Sequence, residues 1–374
     1  MPTTFRDKLA APGPKKLLAI DGGGIRGLIA IEFLARIEAV LRERLGRDDL
    51  VLADYFDYVA GTSTGGILAT LIALGMPVEQ MRAFYVDKAH EMFAPATFLK
   101  RFQNRYVAAR LAGLIREVLG DRTLGSEELR TLVLLVMRNA TTDSPWPVSN
   151  NPRAMYNDRS LKNCNLDVPL WQLVRASTAA PIYFPPEEID FGDERFIFVD
   201  GAVTMYNNPA FLLFAMATLE PYRLQWPVGE ENLLLVSVGT GLSRKSDANL
   251  KAGQMNMLYN AGRIPSALIY SALVEQDRLC RIFGRMRAGG PAIIDSEIGD
   301  LAVPPAGIIS PKLFTYMRYN LLLSNAELAS LGLPDIAEGD VQPLDRVDKL
   351  DELQRVGGAA AARLVDRSHF DGFG

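Results

Sequence analysis

The chain has 374 residues, 48% of them hydrophobic, so it can bury a substantial core, and its length suits one large domain or two ordinary ones. A net charge of −4 without long like-charged blocks gives no general electrostatic basis for binding a nucleic acid polymer or an anionic bilayer; only local patches could do so. Two cysteines without paired spacing, Cys164 and Cys280, speak against a disulfide framework and a zinc site and match a reducing cytoplasm.

Residues 1–14 are polar, contain proline and lack the apolar stretch of a secretory signal, so the mature chain is expected to start where it is written. Residues 15–20 read as a short buried strand, a glycine-rich loop follows, and residues 28–45 show helical spacing through Ile29, Phe33, Ile37, Val40 and Leu41. Residues 55–60 repeat the pattern as a strand entering a second glycine-framed turn, and residues 67–74, apolar nearly all round, predict a buried helix. A helix-like stretch over 81–92 contains His90. Runs of strand length at 132–137, 196–199 and 233–238 alternate with helix-like segments at 169–176 and 209–219, and residues 345–365 read as an amphipathic helix docked on the domain. The longest apolar stretches, 67–76 and 132–137, fall well short of the roughly 20 residues that span a bilayer, so membrane contact would be peripheral.

The alternation predicts an α/β fold with a central, mostly parallel sheet flanked by helices in three layers. No linker, low-complexity run or repeat interrupts it, so residues 1–374 are expected to form a single domain, with weak boundaries near 10–14 and 337–343. In open sheets of this kind ligands sit outside the carboxyl ends of the strands, where Gly22, Ser63, Asp200 and Gly239 would all emerge.

Two of those loops carry chemistry. Gly61-Thr62-Ser63-Thr64-Gly65 fits a nucleophile elbow, in which Gly61 and Gly65 leave room for a strand and helix to converge and raise Ser63 between them. Histidine is the usual base for such a serine, but the only two, His90 in a helix and His369 in a polar tail, are poorly placed. Asp200, which ends an apolar run and precedes Gly201 and Ala202, is the replacement, because burial would raise its pKa and make it a better base. The first loop, Gly22-Gly23-Gly24-Ile25-Arg26-Gly27, reads as an oxyanion hole built from the amides of Gly22, Gly23 and Gly24, with Arg26 bracing the loop or contacting an anion. It also satisfies a dinucleotide fingerprint, whose acidic partner would be Glu43, and that residue falls within the predicted helix instead of at a strand end. Gly239-Thr240-Gly241 reads as a tight strand-end turn, with phosphate binding as the alternative.

In order and spacing, Asp21 to Gly27, Gly61 to Gly65 and Asp200-Gly201-Ala202 together resemble the patatin-like phospholipases. So do Arg175-Ala176-Ser177-Thr178-Ala179-Ala180-Pro181 with Tyr183-Phe184-Pro185, and Asn208-Pro209. The resemblance covers residues 16–212 well, as a catalytic core, and residues 213–374 more loosely, as a continuation of the sheet plus a C-terminal helical region. It implies a patatin-like three-layer fold and a Ser-Asp dyad in which Ser63 attacks an ester carbonyl and Asp200 takes its proton. Amides around Gly22 to Gly24 would hold the oxyanion, water would release the acyl-enzyme, and no cofactor or metal would be needed. The implied substrates are acyl esters of membrane phospholipids, galactolipids or neutral glycerides. Bacterial members of similar length include anti-phage effectors switched on by cyclic oligonucleotides. This subtype implies a cyclic oligonucleotide activator and action from the cytoplasm at the inner face of the membrane; a constitutive housekeeping lipase is the alternative.

Two readings of other classes compete: an oxidoreductase using Gly22 to Gly27 for a dinucleotide, and a catalytically silent interaction protein. An apolar lip over the site could come from Met255, Met257, Leu258 and Tyr259 or from residues 93–102, with core packing as the alternative. A homo-oligomer stays open, because one sequence does not set oligomeric state.

Overall fold

The structure, a computed structural model, describes residues 4–93, 104–181, 183–243, 250–295, 299–300 and 309–374. In chain order its helices are α1 (Phe5–Ala10), α2 (Gly27–Leu45), α3 (Leu52–Tyr55), α4 (Thr64–Ala73), α5 (Val78–Phe93), α6 (Asn104–Leu119), α7 (Leu170–Ser177), α8 (Ala210–Thr218), α9 (Met257–Phe283), α10 (Asn325–Ser330), α11 (Glu338–Val341) and α12 (Leu350–Leu364). The strands are β1 (Lys15–Ile20), β2 (Tyr58–Thr62), β3 (Leu132–Asn139), β4 (Ser144–Ser149), β5 (Glu187–Phe191), β6 (Glu194–Asp200), β7 (Leu233–Val238), β8 (Gly284–Ala288), β9 (Ile293–Asp295), β10 (Gly299–Asp300) and β11 (Phe314–Tyr319).

Strands β3, β2, β1, β7, β11 and β8 lie side by side in that order and run parallel, while β9 and β10 form a separate ribbon. The inner strands read as continuous apolar runs because helices cover both faces. The two faces can be told apart on β2, whose side chains alternate. Gly61 presses on α4, whereas Thr62 donates to Tyr206 O at 2.6 Å, just before α8. Helix α4 therefore covers one face, with α2 and α5 beside it, and α8 and α9 cover the other. From β1 the chain moves to β2 and β3 on one side, and from β7 to β8 and β11 on the other. The loops after β1 and β7 thus flank the topological switch point of a doubly wound sheet.

The antiparallel portion departs from the expected pattern. Strand β4 pairs with β3 along residues 134–139, which leaves β3 only one other edge. On that edge β2 pairs as far as Thr62↔Val136, and β6 begins at once with Asp200↔Met137, running the opposite way. Strands β2 and β6 therefore meet head to head on β3. Asp200 reaches the rim because its strand enters the sheet from the carboxyl edge and ends there, not because it is a parallel strand leaving it.

Two other boundaries differ from expectation. Residues 55–60 do not form one strand: Asp54 accepts the Val51 N–H at 3.2 Å and closes the turn of α3, so the strand starts at Tyr58. The amphipathic tail helix starts at Leu350, not 345, and packs along α2. The tail that carries His369 is packed down: Tyr319 Oη lies 3.0 Å from its Nδ1, and the neighbouring Phe370 and Phe373 are buried.

Candidate active site

The turn at Ser63 is as tight as its glycines suggest. A Cβ on Gly61 would sit 1.9 Å from Gly65 O, and one on Gly65 would sit 2.3 Å from Ile20 O, so neither position accepts a side chain. Ser63 itself has φ 55° and ψ −124°, a conformation that costs a non-glycine residue about 1–3 kcal/mol and holds its hydroxyl clear of the strand. The amino end of α4 starts at the next residue, adding the positive end of a helix dipole beside the oxygen.

The head-to-head strands place Asp200 opposite. Ser63 Oγ donates to Asp200 Oδ2 at 2.7 Å, across 137 positions of sequence. Asp200 Oδ1 accepts the Ala202 N–H at 2.7 Å, and its own N–H donates to Ala179 O at 3.0 Å, so backbone and carboxylate are both fixed. Gly201 allows the chain to turn there: a Cβ would lie 2.3 Å from Val136 O and 2.9 Å from Thr62 Cγ2. Burial pushes the Asp200 carboxyl up to about 6, against the pull of the Ser63 and Ala202 hydrogen bonds and the Arg175 charge.

The glycine loop lies alongside. Gly22 is against the elbow, since a Cβ there would be 3.3 Å from Ser63 Cβ. Its N–H, however, already donates to Asn207 O at 3.0 Å, which removes it from the three expected oxyanion donors. The Gly23 and Gly24 amides have no acceptor among the described residues. Arg26 is a brace: it is buried, and its Nη1 donates to Gln342 O at 3.2 Å. Thr240 of the Gly239-Thr240-Gly241 turn points back and donates to Gly22 O at 3.0 Å. Glu43 lies on α2 and pairs with Arg367 at 3.1 Å, so it is not at a strand end as a dinucleotide site requires. Neither histidine joins this group: His90 is on α5, and His369 meets Tyr319.

Two contributors escaped sequence reasoning. Ser177 Oγ accepts the Ser63 N–H at 2.9 Å and donates to Val136 O at 2.6 Å. Arg175, 1% exposed, donates to Pro185 O at 3.0 Å and stacks on Phe184. Both lie in the segment quoted above for its resemblance, but no spacing rule connects either to Ser63. Of the expected apolar lip, Met255 and Met257 are exposed, and residues 94–102 lie outside the described residues. Both cysteines are free and buried; no group of three or more metal-ligating side chains occurs among the described residues.

Fold and site together define an α/β protein with an elbow serine facing a strand-end aspartate at the switch point of its sheet. A family model for patatin-like phospholipase matches residues 18–214, and the chain belongs to that family. It is 31% identical to Patatin-17 of Solanum cardiophyllum over 256 residues, covering 63% of this chain and 63% of that one, so it spans less than two thirds of that relative. It is 27% identical to Patatin-like protein 1 of Arabidopsis thaliana over 310 residues, covering 71% of this chain and 73% of the relative. Among solved structures, VipD from Legionella pneumophila is similar at 13% identity and a TM-score of 0.38, over 94% of this chain and 67% of that one.

Proposed function

We propose that the protein is a lipid acyl hydrolase that cleaves acyl esters of membrane phospholipids with a Ser63–Asp200 dyad. The observation that carries this reading is the 2.7 Å hydrogen bond from an elbow serine to a buried aspartate in place of a histidine. Asp200 removes the hydroxyl proton as Ser63 Oγ attacks the ester carbonyl, and the Gly23 and Gly24 amides bind the resulting oxyanion. Collapse expels the alcohol, which takes the proton back from Asp200. Water, deprotonated by the same carboxylate, then attacks the acyl carbonyl, and as the fatty acid leaves, Asp200 returns the proton to Ser63 Oγ. A pKa near 6 suits a base working close to neutrality.

A lipid surface as the setting is supported by α9. Its 27 residues extend about 40 Å, twice the length of the strands beneath it. Asp277 already meets Tyr316 Oη at 2.8 Å, and no described residue from 255 to 272 is buried, so the amino-terminal half extends past its packing on the sheet. Met257, Ile264 and Leu268, 82%, 50% and 64% exposed, fall within about 40° of one another around the helix. Residues 250–272 include Lys251 and Arg263 but no acidic residue. Among the described residues no helix is long and apolar enough to cross a membrane.

Control by a cyclic oligonucleotide in anti-phage defence is the finer part of the proposal, and the sequence resemblance alone supports it. One assay tests all parts: fatty acid release from phospholipid vesicles and hydrolysis of a soluble short-chain ester, with and without a panel of cyclic dinucleotides and trinucleotides. Ser63→Ala should abolish both activities. Ser replacements of Met257, Ile264 and Leu268 should lower vesicle hydrolysis at least tenfold while sparing the soluble ester. Release that ignores every nucleotide would point to a constitutive lipase, and activity that survives Ser63→Ala would overturn the dyad.

A further inference from the structure

The glycine loop is shaped by chain that lies beyond the family match at residues 18–214. Thr240 donates to Gly22 O at 3.0 Å, Leu344 O accepts the Ile25 N–H at 2.9 Å, and Gln342 O takes Arg26. Leu344 O also lies where a Cβ on Gly24 would come within 2.5 Å, so the carbonyl and the left-handed Gly24, φ 56°, fit one another. The firmest anchor is at the base of the loop. Asp21, fully buried, leaves β1 and turns the chain into Gly22; Arg318 on β11 grips its carboxylate with both Nη atoms, at 2.9 and 2.5 Å. Arg318 Nη1 also donates to Ser237 Oγ at 2.7 Å, and Ser237 Oγ lies 3.3 Å from Asn208 Oδ1. The fork thus ties β1, β7 and β11 together directly beneath the loop.

We propose that Arg318 is a positioning residue for catalysis: by fixing both carboxylate oxygens of Asp21 it sets the direction in which the chain enters Gly22 to Gly24, and so aims the open amides of Gly23 and Gly24 at the oxyanion. The proposal rests on the acyl hydrolase reading above. A planar fork fixes the rotation of a carboxylate, which a single ammonium does not, so lysine restores the charge but not the aim. Displacing a reactive group by about 1 Å is enough to cost roughly 100-fold in rate. Because Arg318 touches no substrate, the loss appears in turnover and not in substrate affinity.

The test measures kcat and KM on a soluble short-chain ester, together with thermal unfolding, for wild type, Ser63→Ala, Arg318→Lys, Arg318→Met and the double variant Asp21→Asn with Arg318→Met. The double variant removes both members of the pair and so does not strand the Asp21 carboxylate; it regains part of the stability that the single methionine variant loses, less what buried Arg26 loses with the Asp21 charge. The expected result is a kcat lowered about 10- to 100-fold in Arg318→Met and in the double variant, with KM within threefold of wild type and partial recovery in Arg318→Lys. A double variant whose kcat returns along with its melting temperature would reduce the pair to a fold-supporting contact and overturn the proposal. Ser63-dependent hydrolysis that is indifferent to all three Arg318 variants would overturn it alone, whereas hydrolysis that persists in Ser63→Ala would remove the underlying reading as well.

Discussion

The backbone N–H of Ser63 is held by the side chain of Ser177, whose Oγ accepts it at 2.9 Å and donates its own hydrogen bond to Val136 O at 2.6 Å. The strained elbow is thereby tied to α7 and to β3 through one buried hydroxyl. Ser177→Ala strands a buried donor and a buried acceptor together, at a cost of about 1–3 kcal/mol. We expect a lower melting temperature and about a tenfold fall in kcat on a soluble ester; unchanged values for both would dismiss the tether.

Asp200 makes activity and stability respond to pH in opposite senses. It must be ionised to take the Ser63 proton, so turnover should fall as pH drops through about 6. For stability, the folded carboxyl sits above its ordinary value of 3.8, so the folded state holds a proton that the unfolded state has released between those two values. Stability at this site is therefore fully present below about pH 3.8 and is lost as pH rises through about 6. Asp200→Asn removes that loss, and at pH 8 it should gain stability on the order of 1–3 kcal/mol while losing turnover by at least about 1000-fold. Paired melting curves at pH 4 and pH 8 check the sign, and a gain confined to pH 4 would contradict it.

Gly61→Ala tests the packing of the elbow. The added Cβ would meet a backbone carbonyl, Gly65 O at 1.9 Å, which cannot rotate away as a side chain could. The variant should be destabilised by more than about 3 kcal/mol or fail to accumulate as folded protein, as circular dichroism melts would register.

His90→Gln and His369→Gln, separately and together, should leave ester hydrolysis within about twofold of wild type, because neither ring takes part in the elbow serine's hydrogen bonding. A drop of tenfold or more in the double variant would bring a histidine back into the mechanism.

The parts of the site visible in the sequence are those where sterics dictate residue type. Gly61, Gly65 and Gly201 stand where a Cβ would strike backbone, and Ser63 and Asp200 stand beside them at the ends of apolar runs. Strand direction was not visible. The run before Asp200 is apolar whichever way it lies, so only pairing showed β6 to be antiparallel. Tyr55 and Phe56 have strand-forming side chains, yet the Asp54 hydrogen bond turns Tyr55 into helix. The loop's anchors were hidden for a different reason. Gln342 and Leu344 act through carbonyls, which every residue has, and Arg318 meets Asp21 across 297 positions. The Gly22 amide differs from expectation because a glycine's N–H looks free in a sequence until its acceptor, here Asn207 O, is known.

Strand β3 contributes no reactive side chain, yet it works as the ruler of the reaction. Thr62, the residue before the proposed nucleophile Ser63, and the proposed base Asp200 sit opposite consecutive graduations of one edge, Val136 and Met137, which sets their separation. The loops before α7 in the excursion from β4 to β5 can therefore lengthen or shrink over evolutionary time without altering the distance between Ser63 and Asp200, provided Ser177 and Ala179 keep their places. A single residue inserted between Val136 and Met137 would instead move the two apart by about 3.4 Å and turn one of them to the opposite face.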